Sequence, residues 1–282
     1  MNTLNASFNR RQCLGRLTGA GALVLTAWSP ARAQAFDHSH AAWSALVKKH
    51  VVLIDGGRGS QVRYAGFAAD RVGLKAYLDA LSAVSAPAFS AFNKMQQMAF
   101  LINAYNAFTV ELILTRYPKL ASIRDLGSLL QNPWKPKFIK LLGTDMSLDD
   151  IEHGTLRARG RYDDPRIHFA VNCASVGCPM LREEAFVADR LDAQLEEQTR
   201  RFMGDRSRNR FNSQSGRLEL SKIFDWYGDD FKLGHLGIAS LPAFAARYAD
   251  LLADSPADRE RVRGQQVGIG FLDYDWKLND VR

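Results

Sequence analysis

Thiols are scarce in this chain. Three cysteines serve 282 residues, which excludes the dense disulfide framework that staples small secreted domains and leaves room for one bridge at most. Phosphate chemistry has little to stand on. The stretch GGRGS (56–60) lacks the strand–helix context of a phosphate-cradling loop, and neither a dinucleotide fingerprint nor a serine-nucleophile elbow occurs. Repeats and low-complexity linkers are also missing, and SAVSAPAFS (82–90) is the one internal joint the composition suggests. After the N-terminal stretch, no run is long and apolar enough to cross a bilayer.

That N-terminal stretch reads as a leader. Residues 9–33, NRRQCLGRLTGAGALVLTAWSPARA, combine paired Arg10 and Arg11, a mildly apolar run from Leu17 to Trp28, and an Ala31-Arg32-Ala33 cleavage site. The pattern predicts a cleaved signal peptide over 1–33 of twin-arginine type, with a mature start at Gln34 and a periplasmic or secreted domain. Cys13 precedes the apolar run, so it does not read as a lipid-attachment site. Cleavage removes four arginines and no acid, so the net charge of +7 falls to +3, from 33 bases and 30 acids. That balance, with no basic stripe carrying interleaved aromatics, argues against nucleic acid as a partner. The arginines between Arg200 and Arg210 read as a solvated helix end. The remaining 249 residues suit a single globular domain over 34–282.

Periodicity within that domain favours helices. Trp43, Leu46 and Val47 share a helical face ahead of an extended VVLI (51–54), and Val72, Leu74, Tyr77, Leu78 and Leu81 recur at helical spacing. From Asn93 to Tyr117 the chain is apolar nearly all round and stops at Pro118, as a helix buried inside a core would. Asn103 and Asn106 interrupt it three residues apart, on one face. A buried amide needs partners, so these two either tie down neighbouring loops or line a polar pocket with Tyr105. FIKLLGTDMSL (138–148) reads as strand, turn, and short strand or cap. Ser147 and Asp150 resemble a capping box opening a helix that carries His153 and Arg157 four apart, with Glu152 pointing elsewhere. RLELS (217–221) reads as a strand, and VGIGFLDYDWKLND (267–280) closes the chain as a strand and tail. Together these predict an α+β fold: a helix-rich single domain with a small, mostly antiparallel sheet around a buried central helix at about 94–117.

The two remaining cysteines fall in RIHFAVNCASVGCP (166–179). Read as a strand, residues 166–173 alternate so that Cys173 faces the core and His168 faces the other way. Pro179 suits the first position of a helix through MLREEAF, which would put Cys178 at its N-cap, where a thiolate is stabilised.

Several long motifs occur in order: AFLINAYNA (99–107), LDDIEH (148–153), DPRIHFAVNCASVGCP (164–179), LSKIFDWYGDDF (220–231) and YDWKLN (274–279). Through them the chain resembles the domain of unknown function 547 family, over a core of about 95–282. The resemblance marks Asn103, Tyr105, Asn106, His153, Arg166, His168, Cys173 and Cys178 as motif positions and assigns none of them a role.

Three functional readings follow. In the first, a Cys173–Cys178 disulfide staples a pocket for a small molecule or peptide, formed by Asn103, Tyr105, Asn106, His153, Arg166 and His168. Six residues closed into so short a loop contribute roughly 2 kcal/mol, so the bridge would fix local shape. In the second, Cys178 is the nucleophile of a hydrolase or acyl transferase, with His168 or His153 as base and Asn103 as orienter or oxyanion donor. In the third, His153, His168, Cys173 and Cys178 hold zinc, although the C-x4-C spacing is a weak metal signature. The first reading, with no cofactor or metal and no stable membrane span after cleavage, is the expectation taken to the structure.

Overall fold

The first helix runs straight into a hairpin. In the computed structural model, which describes residues 35–127 and 132–281, α1 (Ala41–His50) leads into β1 (Val51–Ile54), which pairs antiparallel with β2 (Gly59–Val62). Gly56 and Gly57 turn the chain between them at φ of 65° and 85°, a region that favours glycine. Then come α2 (Tyr64–Ala69), α3 (Arg71–Ser82), α4 (Ala86–Ser90) and the 21-residue α5 (Lys94–Leu114). The hairpin β3 (Ile139–Leu141) and β4 (Thr144–Met146) precedes α6 (Leu148–Ile151) and a π-helical turn at Glu152–Leu156. The rest is α7 (Leu191–Met203), β5 (Arg210–Asn212), β6 (Arg217–Leu220), α8 (Ile223–Trp226), α9 (Leu241–Ala246), α10 (Ala249–Leu252), α11 (Pro256–Arg263) and β7 (Gly268–Phe271). The leader read over 1–33 lies outside the described residues.

The α+β reading holds, and α5 is its centre. Asn93 caps it through the Gln96 N–H while Gln96 reaches back to the Asn93 N–H, satisfying two donors at the helix start. From Met98 to Val110 every residue of α5 is buried, against α2, α3 and α6. One expectation changes in detail: the strands form three small sheets, with β6 flanked antiparallel by β5 and parallel by β7. A second core, rich in phenylalanine (Phe169, Phe202, Phe224, Phe231 and Phe244), gathers the C-terminal elements.

The 166–179 segment departs from the sequence reading. Pro165–Phe169 is a 3-10 turn, capped by the Asp164 side chain on the Arg166 N–H, and 170–187 is irregular. Strand alternation therefore does not apply, and no helix starts at Pro179. The cause lies in α5. Asn106 accepts from the Asn172 N–H (2.8 Å) and donates to the Ala170 C=O (2.9 Å), while Asn103 does the same to the Phe186 N–H (3.0 Å) and C=O (2.7 Å). These amides satisfy the backbone groups that a sheet or helix would otherwise have paired.

Candidate active site

A cavity of about 300 Å³ opens where the two cores meet. Tyr105 reaches it from α5, Glu152 and His153 from the π-helical turn, His168 from the 3-10 turn, and Cys173 and Cys178 from the loop that follows. Aromatic rings supply much of the remaining wall: Trp134, Trp226, Tyr227, Tyr274 and Trp276.

The thiols meet because the loop closes on itself. Ala174 takes a left-handed φ of 62°, the Cys178 N–H donates to the Ser175 C=O (3.1 Å), and the Cys173 N–H donates to the Cys178 sulfur (2.9 Å). Asn172 clamps the ends, donating to the Pro179 C=O (2.7 Å) and accepting from the Ala174 N–H (3.0 Å). The C-terminal tail straps the loop from outside, with Val176 N–H on the Lys277 C=O and Gly177 N–H on the Asp275 C=O, both at 2.8 Å. A side chain at Gly177 would meet the Tyr274 ring and the Asp275 backbone at 3.0 Å, so this close approach favours glycine. The strap is what carries Tyr274 and Trp276 into the cavity wall.

The expected Cys173–Cys178 disulfide is not formed; both are free thiols. Their sulfurs are instead parts of a hydrogen-bonded cluster, with Cys173 Sγ 3.0 Å from the Tyr274 hydroxyl. Hydrogen bonding from the Cys178 thiol, and then from Tyr274, holds the Cys173 thiol below its ordinary pKa despite burial. Burial, with the neighbouring Cys173, pushes the Cys178 thiol well up. The N-cap argument for a reactive Cys178 therefore fails with the helix it needed, and Cys173 is the more acidic and more exposed of the pair.

His168 is fixed on three sides. Its ring stacks on Tyr227 at 4.4 Å and lies 5.9 Å from Phe231, and Nε2 is 2.7 Å from the Asp230 carboxylate. Burial alone would raise Asp230, but hydrogen bonds from His168 and Arg157 outweigh it and hold the carboxyl far below the usual range. An ionised Asp230 fixes the proton on Nε2 and leaves Nδ1 as the basic nitrogen. Arg157 bonds to Asp230 (2.6 Å) and to His153 Nδ1 (2.6 Å) and lies over the Tyr227 face at 4.5 Å. No hydrogen bond joins His168 to Cys173, although both border the cavity.

Two polar groups on the wall lack partners. Tyr105 is 1% exposed, and its hydroxyl has no hydrogen bond among the described residues. Burial, then the negative charges of Glu152 and the thiols, pushes its pKa well up, so it remains a neutral donor. The Glu152 side chain is 11% exposed, and its carboxylate lies 3.8 Å from His153 Nδ1. Glu152 and His153, the first two residues of the π-helical turn, both border the cavity.

Of the motif residues, Tyr105, His153, His168, Cys173 and Cys178 thus come together. Asn103 and Asn106 are consumed by backbone bonds. Arg166 lies in a buried cluster with Asp164 (2.8 Å) and Asp192 (2.7 Å), away from the cavity. The four residues considered for zinc are engaged with Arg157, Asp230, Tyr274 and one another, and among the described residues no three His, Cys, Asp or Glu side chains are grouped to hold an ion. Asp230, Glu152 and Tyr274 escaped the sequence reading. Asp230 and Tyr274 nevertheless stand in the DWYGDDF and YDWKLN motifs, which were the available signal.

No curated protein and no solved structure matches the chain. Residues 89–203, from α4 to the end of α7, match the family described as "Protein of unknown function, DUF547", which bears out the resemblance read from the motifs.

Proposed function

We propose that this domain is a cysteine-dependent acyl transferase or hydrolase acting on a small molecule or peptide, with Cys173 as nucleophile. The observation that carries this is the pairing, on one cavity wall, of a thiol lowered by its hydrogen bonds with a histidine oriented by a buried carboxylate. Cys173 would attack the carbonyl carbon of an acyl substrate. His168 Nδ1 would take the thiol proton and return it to the departing group as the acyl C–O or C–N bond breaks. A second pass would deliver water or another acceptor to the thioester and free Cys173. Tyr105, a buried neutral hydroxyl with no other partner, is suited to donate to the developing oxyanion. Cys178 acts through Cys173 as a positioning residue whose thiol stabilises the nucleophile. The leader reading puts this chemistry in the periplasm, on a domain exported with its thiols reduced.

The test is p-nitrophenyl acetate. Native protein should release a burst of nitrophenol close to one per chain and carry one acetyl group, found on the Cys173 peptide by mass spectrometry. Cys173→Ser should abolish the burst, whereas Asp230→Asn should slow it about 10²–10⁴-fold. Acetylation at Cys178, or no burst from protein whose thiols are shown to be free, would refute the assignment.

A further inference from the structure

The cavity has a charge bias that acyl transfer does not explain. Among the described residues its wall contains Asp149 and Glu152 but no lysine or arginine. The nearby cations are committed elsewhere: Arg157 to Asp230 and His153, and Arg124 to the face of Trp276 at 5.2 Å. The Glu152 side chain is 11% exposed and opens to the cavity, and the one cationic or imidazole nitrogen within 4 Å of its carboxylate among the described residues is His153 Nδ1 at 3.8 Å. A carboxylate largely withdrawn from water gains from a cation placed beside it. Around it the aromatic rings form a connected wall, with Tyr274 and Trp276 centroids 4.5 Å apart and Trp226 5.0 Å from Tyr274. Aromatic faces with carboxylates behind them are the chemistry that holds organic cations.

We infer that the cavity recognises a substrate bearing an organic cation, an alkylammonium group, seated against Trp226 and Trp276 with its charge toward Glu152 and Asp149. This rests on the reading of the cavity as the substrate site and names its substrate class. Neutral and anionic acyl compounds of the same size would be discriminated against, because they gain nothing from, or are repelled by, the Glu152 and Asp149 carboxylates. The histidine beside Glu152 does not substitute for the ligand: its Nδ1 is taken up by Arg157 at 2.6 Å, against 3.8 Å to the carboxylate.

The experiment uses the full chain carrying Cys173→Ser, so that binding is read without chemistry. Tryptophan fluorescence is followed while n-pentylammonium or the isosteric n-pentanol is added. The ammonium should bind at least tenfold more tightly than the alcohol. Glu152→Gln, equal in shape, should remove most of that preference, and the more exposed Asp149→Asn a smaller part while leaving the fold intact. Equal affinity for the two probes, binding of neither, or a preference surviving both substitutions together would overturn the inference. A nitrophenol burst at Cys173 alongside charge-blind binding would sink the cation proposal and leave the acyl-transfer reading standing. Cation-selective binding without the burst would do the reverse.

Discussion

Replacing Asn106 by leucine should damage both stability and the reactive loop, by an amount that can be worked from two hydrogen bonds. Asn106 is 2% exposed, and its partners lie on Ala170 and Asn172, themselves 1% and 3% exposed. Leucine keeps asparagine's branching but is bulkier, so the lost hydrogen bonds set a lower bound to which overpacking can only add. It strands one buried C=O and one buried N–H, each at about 1–3 kcal/mol. Better helix propensity returns only about 0.5 kcal/mol. The expected cost is therefore about 2–5 kcal/mol in urea unfolding, with an unchanged denaturant slope. Asn106→Asp keeps the acceptor for the Asn172 N–H but sets a carboxylate against the Ala170 C=O, so it should be no milder. Because Asn172 leads directly into Cys173, the leucine variant should also lose the low pKa of that thiol, measured as a slower iodoacetamide reaction at neutral pH. A cost under about 1 kcal/mol would mean that the 170–172 backbone finds other partners, and the account of why this segment is irregular would fail.

That account also explains where the sequence was readable. α1, α3 and α5 announce themselves because each carries a helical stripe or an apolar run long enough to dominate its neighbours, while Asn93 and Pro118 bracket α5 and Ser147 opens α6. The segment 166–173 carries an equally clear period-two pattern and is nevertheless a 3-10 turn followed by irregular chain. Its hydrogen-bond partners come from side chains more than sixty residues away on α5, which no local pattern records. Asn106 was visible as an amide needing a partner. What could not be seen was that the partner was the backbone of this very stretch, and that pairing it would cancel the strand.

The site follows the same division. Tyr105, His153, His168, Cys173 and Cys178 could be named in advance because their residue types are unusual in their settings. Asp230 could not, since an Asp-Asp pair after a glycine reads as a turn, and only the fold sets Asp230 2.7 Å from His168. Glu152 was misjudged for a different reason: adjacent residues diverge on a helix, but the cavity is wide enough to be bordered by both Glu152 and His153. The aromatic wall depends on the C-terminal strap across Val176 and Gly177, a contact of about one hundred residues' separation.

Further outcomes can be checked independently. Native protein should titrate two free thiols after cleavage of the leader, with iodoacetamide modifying Cys173 well before Cys178; a single disulfide would refute the hydrogen-bonded cluster. Replacing Arg10 and Arg11 by lysine should abolish export of the folded domain, and normal export would refute twin-arginine routing. Acid should destabilise the domain through His40. Burial, and then the charge of His38, lowers His40 from 6.5 to about 4, its Nδ1 is engaged with the Tyr77 hydroxyl at 2.7 Å, and Nε2 has no partner. A histidine depressed in the folded state binds its proton first in the unfolded chain. Its stabilising neutrality is therefore complete above pH 6.5, is lost progressively as pH falls toward 4, and amounts to about 3 kcal/mol across that window. The measurement is urea unfolding at pH 7.5, 5.5 and 4.5 for native protein and His40→Asn, a residue that tolerates the left-handed φ of 50° at this position. The carboxylates titrate in both proteins, so the difference between the two curves isolates His40. It should narrow by about 2–3 kcal/mol on acidification, and parallel curves would show that the folded protein accommodates a charged His40 after all.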